Sequence, residues 1–252
     1  KEERASVKVM ASDRWLGVSQ SSIKLSPDGL KSEQRIWVEI DWSKVPKYDQ
    51  FKGYITLKGK SASYVVQVNA INENFSGFEG AMEADGYIAI RADEYNRQVN
   101  RKNGKYWQKT QAMGRSGDML EAMPFTAKAD TSESAIVENP YLEYEFYNFT
   151  ALPAEIYIYT LPTFPLHDDY EMRYAVQVDD LPLKVVNFKT VGRTNEWKNN
   201  VLRNAAIKSV STSELKPGSH RLRIYMVDPG VILDKMFISL GKRTLPYGDL
   251  EE

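Results

Sequence analysis

Nearly every apolar stretch of this chain repeats with a period of two. In "RIWVEIDW", Ile36, Val38, Ile40 and Trp42 share one face, and Trp37, Glu39 and Asp41 share the other. "GYITLKG" sets Ile55 beside Leu57, and "SYVVQVNA" sets Val66, Val68 and Ala70 together. Side chains alternate across a strand, so this spacing builds half-buried β-sheet rather than long amphipathic helices. Turn chemistry separates the runs, at Ser26-Pro27-Asp28-Gly29, Pro46, Gly53 and Gly59. Short strands so spaced predict a small β-sandwich over residues 1–72.

The polar, Gly-rich "INENFSGFEGAMEADG" follows. It reads as a linker over residues 73–84, packed down by Phe75 and Phe78. Residues 85–252 repeat the pattern with longer loops. Strands are predicted at 87–92, 141–149, 155–161, 173–179, 184–188, 221–227 and 232–240. Strands near both ends with long loops between them read as a jelly-roll sandwich. The expectation is thus an all-β chain of two β-sandwich domains. One extended sheet stack across both halves is the alternative, and the linker composition argues against it. Trp197, Val201 and Ala205 have helical spacing, so "NEWKNNVLRNA" is expected as a short helix. The stretch 96–118 is basic and punctuated by Gly104, Gly114 and Gly117. It is expected as a long functional loop.

Composition narrows the chemistry. Lys+Arg number 33 and Asp+Glu 34, a net charge of −1, so there is no generic electrostatic case for nucleic acid or an anionic membrane. No apolar run approaches the ~18 residues of a membrane helix. The chain has no Cys, which excludes thiolate catalysis, disulfides and Cys-ligated zinc. No G-x-S-x-G elbow, phosphate-binding glycine loop or H-E-x-x-H pair occurs in it. His167 stands beside Asp168 and Asp169 in a stretch that reads as a solvated loop, and His220 reads as a strand-entry residue. No metal, cofactor or catalytic residue is nominated.

The remaining signal is aromatic and polar. Sugar rings stack their C–H faces on Trp and Tyr, while their hydroxyls need amides, carboxylates or guanidinium groups. Trp107 with Arg115, and Trp197 with Asn204, are the candidate ligand contacts. Against that, Trp107 and Trp197 can equally cap the core, and Trp15, Trp37 and Trp42 are expected to be core. One acid is out of place. Asp234 interrupts the apolar run Ile232, Leu233, Met236, Phe237, and a buried carboxylate needs a partner.

Several stretches carry a family resemblance. "GYIAIRADEYNR", "GRSGDM", "YLEYEFYNF", "RYAVQVDDLPLKVVN", "EWKNNVLRN" and "GSHRLRIYMVDPGVILDKMFI" follow one another in the order seen in the C-terminal region of glycoside hydrolase family 115, the xylan α-glucuronidases. "SDRWLGVS", "RIWVEIDWSKVP" and "GYITLKG" resemble the small Ig-like sandwich that precedes that region. The resemblance implies a C-terminal portion of a larger secreted enzyme, periplasmic or extracellular, with its catalytic residues upstream. It implies an accessory role in domain packing, assembly (a homodimer among the options) and cleft shaping. The alternative is an autonomous carbohydrate-binding module for glucuronoxylan or uronic acids. The larger domain also resembles jelly-roll carbohydrate-binding modules in which an E-A-E strand and a last-strand aspartate hold a structural calcium. Here Arg91-Ala92-Asp93 replaces that triplet. The resemblance therefore implies that Arg91 pairs with Asp234 in place of the metal.

Overall fold

The computed structural model describes residues 5–25, 33–45, 49–72, 77–101, 103–114, 117–168 and 170–241. The chain divides into two compact units, Lys1–Phe78 and Glu79–Glu252. Among the described residues the regular elements of both units are strands, with two short helices in the second, so the chain is all-β as its alternation dictates. The predicted turns at Ser26–Gly29 and Pro46 lie outside the described residues.

In the first unit, β1 (Ala5–Ala11), β3 (Ser22–Leu25), β5 (Asp49–Lys58) and β6 (Ser63–Asn72) form a four-stranded sheet in the order β3-β1-β5-β6. A two-stranded ribbon joins β2 (Leu16–Val18) to β4 (Val38–Ile40). Val9, Trp15, Leu16, Val45, Ile55 and Ala70 form the core. Of the three tryptophans expected in this core only Trp15 is there, whereas Trp37 and Trp42 are exposed at 66% and 52%. Both tryptophans flank β4, a three-residue strand whose one partner among the described residues is β2.

Gly53 shows how tightly Trp15 sits. A Cβ added at Gly53 would stand 2.5 Å from Leu16 Cδ1 and 2.8 Å from Trp15 Cζ2. Gly53→Ala is therefore expected to destabilise this unit by about 1–3 kcal/mol through overpacking. A urea midpoint equal to that of the parent chain would contradict this.

The second unit begins earlier than the predicted boundary at residue 85. Ala81–Met82 form strand β7, paired in parallel with Phe146–Tyr147, so part of the expected linker belongs to a sheet. The strands are β8 (Tyr87–Arg91), β9 (Arg97–Val99), β10 (Tyr106–Thr110), β11 (Met119–Met123), β12 (Tyr141–Asn148), β13 (Leu152–Thr160), β14 (Arg173–Val178), β15 (Lys184–Asn187), β16 (Ala206–Leu215), β17 (Gly218–Met226) and β18 (Ile232–Leu240). One sheet runs β10-β11-β18-β13-β16, with β8 also on β18. The other runs β15-β14-β17-β12-β7, with β9 also on β12.

The alternating apolar positions meet in one core. Leu142, Tyr144 and Phe146 of β12, Leu222, Ile224 and Met226 of β17, and Ile156 and Ile158 of β13 are all fully buried there. The stretch 96–118 is thus not one loop, since it contributes β9 and β10. The helix α2 (Asn195–Arg203) forms as its spacing predicts, capped by Thr194, whose hydroxyl accepts the Trp197 amide. A four-residue helix α1 (Glu133–Ile136), which the sequence spacing did not suggest, precedes β12.

Candidate functional site

The phase of β18 explains the intrusive acid. Leu233, Met236, Ile238 and Leu240 all reach the core, although Leu233 and Met236 differ by an odd step. Strict alternation cannot do that. On β13, Tyr159 faces Lys235 while Thr160 faces Leu233, so Asp234 is the extra residue of a β-bulge. On the other side of β18, pairing with β8 ends at Lys235 and pairing with β11 begins at Leu233. Asp234 falls in the seam between those two strands. Its carbonyl accepts the Ala92 amide at 3.0 Å.

The β10–β11 turn closes over that seam. The Gly114 amide donates to the Gly117 carbonyl at 3.1 Å. A Cβ at Gly114 would stand 2.8 Å from Asp234 Oδ1, and one at Gly117 would stand 2.9 Å from Asp93 Oδ1 and 3.1 Å from Arg91 Nε. Only glycine lets the backbone approach these charged groups so closely.

The expected pairing of Arg91 with Asp234 is not the ion pair that forms. Arg91 Nε lies 3.2 Å from Asp93 Oδ1, and its terminal nitrogen lies 3.0 Å from Glu94 Oε1. The cause is the register: Arg91 aligns with Lys235, and the chain turns at once, with the Glu94 amide donating to the Arg91 carbonyl at 3.1 Å. That turn brings two nearby acids within reach before the bulged Asp234. Lys109 completes the cluster, 3.6 Å from Asp93 and 3.1 Å from Asp118. Asp93 is thus shared by two fixed cations, an arrangement that does not suit a calcium ligand.

Asp118 accepts the Ala112 amide at 2.9 Å. That bond, with the Lys109 ammonium, holds its carboxyl below the ordinary aspartate value against the opposing effect of burial. A group so depressed stabilises the fold above its unfolded value, and that contribution is lost as the pH falls through the folded one. Carboxyl carbon resonances should show Asp118 titrating below free aspartate; a midpoint at or above that of the free side chain would contradict the assignment.

Two of the nominated ligand residues have structural tasks. Trp107 is 2% exposed and belongs to the core, so it is no stacking platform. Period two explains this, because Trp107 points inward from β10. Trp197 is half-buried on α2. Asn204 is exposed and takes the left-handed C-cap of α2 with φ 54°, a backbone task that suits Asn. Arg115 lies outside the described residues. Among the described residues no group of three or more His, Asp or Glu is placed to hold a metal ion.

Two arrangements escaped the sequence reading. Asp228, in the turn Asp228-Pro229-Gly230, is fully buried and accepts from Arg173 through its amide at 2.8 Å, Nε at 2.8 Å and terminal nitrogen at 3.1 Å. Lys105 is buried beside Asp130 and Asn139. Parity sets Lys105 on the same side of the run as Trp107, but nothing in the spacing points to Asp130 or Asn139.

Comparison with known proteins gives the family. The family model described as Glycosyl hydrolase family 115 C-terminal domain matches residues 80–247. Among solved structures, a family 115 4-O-methyl-α-glucuronidase with specificity for decorated arabinogalactans is similar at 29% identity and a TM-score of 0.44, over 59% of this chain and 18% of that one. A family 35 carbohydrate-binding module from Clostridium thermocellum is similar at 10% identity and a TM-score of 0.39, over 60% of this chain and 96% of that one. The C-terminal family 6 module of a laminarinase from Zobellia galactanivorans is similar at 11% identity and a TM-score of 0.37, over 61% of this chain and 98% of that one. No curated protein sequence matches the chain. The chain thus spans 18% of the length of the glucuronidase it resembles. With the family model covering almost all of the second unit, the chain belongs to glycoside hydrolase family 115, and its residues 80–247 are the family's C-terminal domain.

Proposed function

We propose that this chain is the non-catalytic accessory region of a secreted, xylan α-glucuronidase-like glycoside hydrolase, periplasmic or extracellular. Its partners are the catalytic domains upstream in the same polypeptide, against which it packs, and it serves assembly and the shaping of the substrate cleft. The observation that carries this reading is the match of residues 80–247 to the family's C-terminal domain. Phe164, Val191 and Leu202 of the second unit stand 54%, 76% and 74% exposed, and packing against a neighbouring domain would cover such side chains. Hydrogen exchange of the complete polypeptide beside this chain alone tests it. Slower exchange around residues 164, 191 and 202 in the complete polypeptide is expected, and equal rates in both would overturn the packing role.

A second reading, an autonomous module for glucuronoxylan or uronic acids, loses one of its two stacking candidates with Trp107 in the core, while Trp197 is half-buried on α2. It keeps support from one open cleft in the second unit that carries polar groups on a mostly apolar wall.

A further inference from the structure

Away from the Gly114–Gly117 turn, a cleft of about 570 Å³ opens beside the start of β10. Asn103, Lys105, Lys128, Asp130, Glu138 and Asn139 supply its polar lining. Lys105 is only 8% exposed, a rare state for a lysine. Its ammonium donates to the Asp130 carboxylate and, at 3.2 Å, to Asn139 Oδ1. The Asn103 amide donates to the same Asn139 oxygen at 3.0 Å, and the Asn139 amide donates to the Met226 carbonyl at 2.8 Å. The cluster is therefore anchored to strand β17 and held in one geometry.

Asp130 is the open member, with 32% of its side chain exposed. Burial pushes its carboxyl up, but hydrogen bonds from Lys105 and Asn139 and the Lys105 charge outweigh that and hold it lowered. It is an anion at neutral pH with lone pairs toward the cleft. Two cations and two carboxylates line the space, so neither a free anion nor a free cation meets a complementary field. What fits is a neutral molecule carrying adjacent donors and acceptors on one ring. Vicinal hydroxyls match that pattern: they donate to a carboxylate and accept from an ammonium or amide. Pro124 and Ala127 add apolar wall for ring C–H groups. The volume lies in the range that holds small ligands.

We propose that this cleft binds a neutral, hydroxyl-rich sugar ring, with Asp130 and Lys105 as its hydrogen-bonding centre. The inference rests on the second reading above, and it replaces the expected uronate contact by a neutral sugar at a different place. The test is ¹H–¹⁵N spectroscopy of the whole chain titrated with xylobiose, cellobiose, lactose and glucuronate. At least one neutral disaccharide should shift the Lys105, Lys128 and Asn139 resonances, and glucuronate should shift them less. Asp130→Asn should weaken that binding by about tenfold or more. Thr126→Trp, which fills the cleft from its exposed rim, should abolish it with an unchanged melting temperature. Shifts confined to residues around Trp197 would refute this site while leaving glycan binding standing. No shift with any sugar would remove both, and tighter glucuronate binding at Lys105 would reverse the assigned ligand class.

Discussion

Arg173→Met should destabilise the second unit by about 3–5 kcal/mol, because it strands a buried carboxylate. Asp228 is fully buried, and the Arg173 side chain supplies two of its three hydrogen bonds. The same contact holds the Arg173 guanidinium above its ordinary value, with the Asp228 hydrogen bond as the main cause. The pair also carries the backbone there, since the Asp228 amide returns a bond to the Arg173 carbonyl at 3.0 Å. Removing both charges together is a different experiment. In Arg173→Met with Asp228→Asn no stranded charge remains, so most of the stability should return. Urea unfolding of the two variants separates these cases. A double variant no more stable than Arg173→Met would mean that the loss comes from shape and not from the stranded charge.

Trp107→Ala should cost about 3–5 kcal/mol, the price of emptying a large core position. The indole is 2% exposed and packs with Ile90, Leu120 and other members of the main core. Its ring nitrogen has no hydrogen-bond partner among the described residues. Trp107→Phe should therefore lose less than the alanine variant, as ring volume rather than a hydrogen bond holds the site. If Trp107 were a sugar platform, alanine would leave the melting temperature alone and abolish binding. A melting temperature equal to that of the parent chain in Trp107→Ala would contradict the core assignment.

The fold was legible where alternation was strong. β12, β14, β17 and β18 carry apolar residues at most inward positions, and their predicted limits lie close to the observed ones. β10 and β16 were not legible. β16 reads "AIKSVSTSEL" and lies at a sheet edge, where polar residues protect against stray pairing and erase the alternation. β10 lies at the opposite edge of the same sheet. In both, only the inward positions carry information, and these are few.

Sites were harder to read than strands, for a related reason. A carboxylate such as Asp234 in an apolar run violates alternation, which suggests a pairing partner. A bulge was the other way to break it, and only register shows a bulge. Arg91 has acids two and three residues ahead, and local geometry favours them over a long-range partner. The Lys105 cluster joins the start of β10 to residues near α1, separations that no spacing rule connects.

Asp118, Gly53, Arg173 and Trp107 each probe how the two units are held. The central claim concerns what they do. Release of glucuronic acid or its 4-O-methyl form from glucuronoxylan, assayed with this chain alone beside the complete polypeptide, addresses it most directly. The account predicts turnover by the complete polypeptide and none by this chain at any concentration. Turnover by this chain, abolished by replacing one of its own carboxylates, would contradict it.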